Sequence, residues 1–214
     1  MRPCWELHVE PEPRAPLDGV ARDLGLVSDV SAGRRGAVMR LWQPDRTVVL
    51  VAEEASRTAP REDVPVVARP TPGGQWLAAG PAAILWSTIA TRETLGISGT
   101  EDPLEAASEW VLASLRQLGM QVSLQAGGTI WTPMGVVGAC AVVKQDGVIL
   151  AQGIVDYAMD AGDCVGTDPV PAENVRSQSG LPLPLVIDRF ARMARTLFRA
   201  KVISPASGSA LPRS

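Results

Sequence analysis

Residues 102–157 constrain the fold of this chain more than any other part of it, because a well-marked helix there runs straight into a β meander. Asp102-Pro103-Leu104-Glu105 supplies in order a capping side chain, a proline suited to the first helical turn and the acid that completes a capping box. Leu104, Ala107, Val111, Leu115 and Leu118 then recur at helical spacing, and Gly119 ends the run. Strand-like runs follow at 121–125, 129–131, 136–143 and 148–157, with Asp146-Gly147 turning the last two into a hairpin. A helix feeding a meander has no βαβ rhythm, so the pattern predicts an α+β layer fold.

The flanking segments fit that class. Residues 5–9 alternate apolar and polar side chains and read as an edge strand, and the proline-laden 10–16 reads as a loop. Leu17, Val20, Ala21, Leu24 and Val27 mark a helix that ends near Gly33. Strands are expected at 38–42, 48–52, 65–69 and 84–89, with a surface loop at 53–63. After a loop-rich 158–182, Val186, Phe190, Met193 and Leu197 mark a final amphipathic helix with Arg189, Arg192, Arg195 and Arg199 on its other side. Those arginines could dock an acidic partner, although a solvated helix face is the plainer account. The expected organisation is one domain over residues 1–203 and a flexible tail over 204–214.

Composition narrows the chemistry. With 214 residues and 46% hydrophobic side chains the chain can bury a substantial core, and a net charge of −3 argues against nucleic acid as its main partner. No apolar run approaches the length of a membrane span, so no membrane partner and a cytoplasmic location are expected. There is one histidine, His8, and only two lysines, Lys144 and Lys201. A histidine-rich metal site is thereby excluded, no metal site is expected, and any Ser-His-Asp triad would have to use His8. Cys4, Cys140 and Cys164 form no disulfide framework.

Ala68-Arg69-Pro70-Thr71-Pro72-Gly73-Gly74 is the most informative short stretch. A strand ending in arginine and leading to a threonine and two glycines lets backbone N–H groups approach an anion that the guanidinium can grip. An ordinary Gly-Pro turn has the same composition, and the residues alone leave both readings open.

The order of segments adds a resemblance. Trp5, the helix from Leu17, Val38-Met-Arg-Leu-Trp42-Gln-Pro, Thr47-Val-Val-Leu-Val51, the glycine loop, the helix from Asp102, Gly135-Val-Val-Gly138-Ala-Cys-Ala and the hairpin strand through Gln152-Gly153 follow one another collinearly. In that order the chain resembles the lipoate–protein ligase, octanoyltransferase and biotin–protein ligase superfamily over roughly residues 5–157. The resemblance implies a class II aminoacyl-tRNA synthetase/biotin ligase-like α+β domain, a mixed sheet packed by helices. It implies attachment of a lipoyl or octanoyl group to a lysine of a lipoyl acceptor domain. The acyl group would come from lipoate with ATP and Mg²⁺ in a ligase, or from an acyl carrier protein in a transferase. Arg69, Thr71, Gly73 and Gly74 would hold the carboxyl or phosphate end of the ligand, and Gly138 would pass close to the acyl group. A biotin ligase-like variant is prompted by Trp76 and Gly80, and Trp76, Trp86 and Trp131 could line or fill an apolar tunnel.

The chain also departs from that pattern. Gly135 stands where the superfamily has its acyl-contacting lysine, and Gln152 where it has a histidine. Lys144 is nine residues beyond Gly135, an odd offset that places it on the opposite strand face if the strand is regular. Cys164, in a loop comparable to one that carries a nucleophile in thioester-using relatives, is a candidate acyl carrier, though the neighbouring Asp160 and Asp163 disfavour a thiolate. The second functional reading is therefore a catalytically degenerate member serving as a ligand-binding or partner protein.

Overall fold

A computed structural model describes residues 4–53, 64–159 and 174–203. Its core is an eight-stranded mixed sheet in the order β11-β1-β2-β6-β10-β9-β8-β7, comprising β11 (Lys201–Ile203), β1 (Trp5–Val9), β2 (Ala37–Trp42), β6 (Ala83–Thr91), β10 (Val148–Asp156), β9 (Gly135–Gln145), β8 (Thr129–Thr132) and β7 (Ser123–Leu124). The β11–β1 and β1–β2 pairs are parallel and the rest antiparallel. A second sheet, β4 (Val66–Arg69), β3 (Val48–Ala52) and β5 (Trp76–Ala78), carries the glycine loop between β4 and β5. The expected α+β class, a mixed sheet packed by helices, is observed.

Helix α2 (Pro103–Gln117) starts where the sequence signals it, with Asp102 Oδ1 accepting from the Leu104 N–H at 2.8 Å. Its buried face, Ala107, Trp110, Val111, Leu112 and Leu115, lies with α4 (Leu183–Phe198) on one face of the large sheet. Trp110 anchors that layer: its indole N–H donates to Thr88 Oγ1 at 2.9 Å, and its ring meets Trp86 and Phe190 edge-on at 6.1 and 6.0 Å. The other face is covered by α1 (Pro16–Ser31) and the small sheet, so the molecule has three layers.

Helix α1 is rotated from the expected stripe. Leu17, Ala21 and Leu24 are exposed, and Gly19, Val20, Asp23, Leu26, Val27 and Val30 face the sheet. Two side chains of β2 account for this. Trp42 occupies the notch at Gly19, where a Cβ would lie 2.2 Å from its ring, and Arg40 pairs with Asp23 at 2.7 Å. β1 is also not an edge strand, because β11 pairs outside it through Glu6–Lys201, Leu7–Val202 and His8–Ile203. A strand of three residues, two of them exposed, carries too little apolar pattern to be read from sequence. The loop-rich region additionally holds a short helix α3 (Val175–Ser179), and Leu197 of α4 is exposed at 44% rather than buried.

Candidate functional site

The glycine loop is organised by its own arginine. Pro70 and Pro72 stiffen the turn, and Gly73 supplies a φ of 101° that side-chain-bearing residues rarely adopt. Arg69, 1% exposed at the end of β4, folds back into this turn. Its Nη1 donates to Thr71 O, to Thr71 Oγ1 at 2.7 Å and to Pro72 O at 2.8 Å, and its Nη2 donates to Gly74 O at 2.6 Å. The guanidinium face lies 3.5 Å from the centre of the Trp76 ring. The donors expected to grip a ligand thus bind the loop's own carbonyls.

A buried polar chain links this loop to the large sheet. Thr71 Oγ1 donates to Gln152 Oε1 at 3.1 Å, and Gln152 Nε2 donates to Asp23 Oδ2 at 2.7 Å. The other Asp23 oxygen accepts from Ser87 Oγ at 2.9 Å and Arg40 Nη1 at 2.7 Å. Arg40 also donates to Gly19 O and, through Nε, to Glu10 Oε1, both at 2.7 Å. Arg14 and Arg22 close on Glu10 from outside. Burial lowers the pKa of both outer guanidiniums, and neighbouring arginine charges add to the effect. Removing one partner of so buried a cluster typically costs about 3–5 kcal/mol.

Around the chain lie Val20, Trp42, Leu50, Trp76, Leu85, Trp86 and Gly153, which with Asp23, Arg69 and Gln152 enclose only about 10 Å³. Trp76 and Trp86 therefore fill the site rather than line an open tunnel, and Trp131 is 36% exposed elsewhere. A larger recess of about 330 Å³ lies between the ends of β1 and β2 and the start of α4, lined by Val9, Leu41, Leu183 and Ile187 together with Glu10 and Trp42, and by no residue of the glycine loop.

The structure brings Arg69, Thr71, Gly73, Gly74 and Gln152 together but does not bring Gly135 or Gly138 to the pocket lining. Gly135 opens β9 opposite Thr132 with a φ of 121°, and Gly138 is pressed against β10, where a Cβ would lie 2.4 Å from Ile154 O. β9 is not regular: Ile130 pairs with Gly138 and Trp131 with Val136, leaving Val137 as an extra, bulged residue. The odd-offset argument for Lys144 therefore fails when counted from Gly135. Counted along the regular β9–β10 ladder, Lys144 is three residues from Ala141, the partner of Gln152, and so projects from the opposite face, exposed. Lys201, also exposed, lies four strands from β10, roughly 19 Å at the usual spacing of about 4.8 Å.

The remaining candidates are accounted for locally. Burial pushes the Cys140 thiol up to about 12, with Asp102 adding to the rise, so this core cysteine stays protonated. Burial pushes the His8 imidazole down, against the Glu6 carboxylate that holds it 3.0 Å away. Cys164, with Asp160 and Asp163, lies outside the described residues, as does the tail 204–214. On α4, Arg192 pairs with Asp188 at 3.2 Å and Arg195 caps Ala191 O. Among the described residues no group of three or more His, Cys, Asp or Glu could hold a metal, and no helix is long and apolar enough to cross a membrane.

Sequence reasoning missed Asp23, Arg40, Glu10 and Ser87. A signal was present: Asp23 lies three residues after Val20 and four before Val27, and Arg40 alternates with Val38 and Trp42. Opposite charges set into two apolar stripes point to a buried pair.

No protein-family model matches the sequence, and no curated protein matches it. Solved structures do. Plasmodium falciparum LipL1, in complex with lipoate, has a TM-score of 0.73 at 10% identity, covering 94% of this chain and 66% of that one. A bi-partite lipoate protein ligase from Thermoplasma acidophilum has a TM-score of 0.69 at 13% identity, covering 95% and 88%. Lipoate-protein ligase A bound with ATP has a TM-score of 0.67 at 14% identity, covering 97% and 90%. The chain therefore spans just under two thirds of the length of LipL1. At these identities the likeness establishes the fold, which is that of the lipoate–protein ligases.

Proposed function

We propose that this chain, on its lipoate-ligase fold, binds a lipoyl or octanoyl group beneath the glycine loop as a ligand-binding or partner protein, without lysine-assisted transfer. One observation carries this reading: the polar end of the pocket is a finished hydrogen-bonded unit with a neutral amide, Gln152, at its centre and neither lysine within reach. The apolar walls of Val20, Leu50, Leu85 and three tryptophans suit a hydrocarbon chain, provided the loop and Trp76 move to admit it. Loss of a charged group aimed at developing transition-state charge typically costs factors of about a hundred to a thousand in rate. The Arg69 donors are held by loop carbonyls, so gripping a nucleotide phosphate there would require those bonds to be released.

The second reading, attachment of the acyl group to a lipoyl domain by ligase or transferase chemistry, is favoured by the retained Arg69, Thr71, Gly73 and Gly74 of the loop. The Thermoplasma neighbour, described with its E2 lipoyl domain, supports a lipoyl domain as the test acceptor. The protein is incubated with apo lipoyl domain and either lipoate, ATP and Mg²⁺ or octanoyl carrier protein, and the acceptor is read by intact mass. Calorimetry with lipoate, octanoate and octanamide runs alongside. Binding with an unmodified acceptor is expected. An acylated acceptor would establish the second reading, and absence of binding to all three ligands would remove the first.

A further inference from the structure

We infer that Asp23 is the positioning residue of this pocket: by fixing the orientation of Gln152 it latches the glycine loop over the site. A glutamine amide has two orientations of nearly equal shape, and its neighbours choose between them. Asp23, ion-paired with Arg40, offers acceptors only, so the Gln152 NH₂ faces it at 2.7 Å and the Gln152 carbonyl faces the loop. That carbonyl accepts the single hydroxyl proton of Thr71 at 3.1 Å, leaving the Thr71 oxygen to accept from Arg69 at 2.7 Å. Arg69 in turn gathers the carbonyls of Pro72 and Gly74. From Arg69 through Thr71 and Gln152 the donors run toward Asp23, while the other Arg69 donors bind the loop carbonyls, so the carboxylate on α1 fixes the Gln152 amide to which the loop's threonine is bonded. The bonds span residues 129 and 81 positions apart in sequence and join three elements that no local interaction connects.

The latch bears on ligand entry. While Thr71 is held by Gln152, the pocket keeps about 10 Å³, and its hydroxyl proton is not available to a ligand. Opening the pocket requires the Thr71–Gln152 bond to break. This deepens the acyl-pocket reading and rests on it for what the loop encloses, but the latch itself is measurable with no ligand present.

The test is hydrogen exchange of the peptide covering 69–78, referenced to the β6 peptide covering 83–91 in the same protein. Gln152→Met preserves volume and leaves the Asp23–Arg40–Ser87 contacts in place, so the fold should persist while loop exchange rises at least tenfold. Gln152→Glu should also raise loop exchange, because repulsion between the two carboxylates would drive the side chain away from Asp23 and out of line with Thr71. Adding Asp23→Asn to Gln152→Glu returns a donor opposite an acceptor and preserves the charge of the buried cluster. Loop exchange in the double variant should return to within about threefold of wild type. Unchanged exchange in Gln152→Met, or a double variant as open as Gln152→Glu alone, would overturn the assignment, because an Asp23 that merely balances Arg40 predicts no such rescue. A wild type that binds no acyl ligand would overturn the acyl reading, while the exchange result still decides the latch.

Discussion

Gly135, the first residue of β9, holds a backbone conformation that few side chains share. Its φ of 121° lies where L side chains are strained, and it closes a tight turn in which Thr132 Oγ1 donates to Gly135 O at 3.1 Å. Gly135→Lys should therefore lower stability by about 1–3 kcal/mol and produce no acyl transfer to a lipoyl domain, read by urea denaturation and intact acceptor mass. Gain of transfer would mean that the site lacks only its cation. Other residues were clearer in the sequence. Arg69, Thr71 and the two glycines stand out because an arginine closing a strand before a Pro-Thr-Pro-Gly-Gly run suits an anion site as well as an ordinary Gly-Pro turn. What the arginine does was not legible, since a guanidinium gripping its own loop and one gripping a ligand demand the same residues. Asp23 and Arg40 were hidden for a related reason: each reads as a polar interruption until its partner is known.

Among elements, the end of β10 carries a pH dependence of its own. Asp156, 3% exposed, accepts from the Met159 N–H at 2.7 Å and places Met159 in the apolar cluster under the small sheet. Burial raises its pKa from 3.8 to about 7, opposed by the Met159 hydrogen bond. The folded state thus holds a proton that the unfolded state releases near pH 4. Stability from this group is complete below pH 4, declines as pH rises and is lost above pH 7, by on the order of 4 kcal/mol at most. Asp156→Asn keeps an acceptor for Met159 and should flatten the pH 4–7 slope of unfolding free energy measured in urea. A variant with the wild-type slope would assign the dependence elsewhere. Element by element, α2 and the β9–β10 hairpin were legible because cap, period and Asp-Gly turn agree there. The register of α1 and the cover over β1 were not, because both are set by contacts across the fold: Trp42 in the Gly19 notch, and a C-terminal strand returning to the N-terminal one.

For the whole molecule, the question is whether the small sheet that carries the loop is a separate cooperative unit or part of one domain. Its packing argues for one. Val48, Leu50, Trp76 and Ala78 of the small sheet form a single buried cluster with Trp42, Leu85 and Ile154 of the large sheet and Val20 of α1. The loop is tied to the same sheet through Thr71 and Gln152. The first and last described strands are joined as well, since β11 pairs with β1. With sheet, helix and loop sharing one core, no part can lose its contacts without exposing those of the others, so unfolding should be two-state. Leu50 is the discriminating probe, being 3% exposed and part of the cluster between the two sheets. Leu50→Ala should cost about 2–5 kcal/mol and shift the far-UV and tryptophan-fluorescence transitions together in urea. If fluorescence moved to lower urea while far-UV signal stayed, the three-stranded sheet would be opening as its own unit. The closed pocket would then be opened by displacement of the whole small sheet, which would carry Thr71 off Gln152.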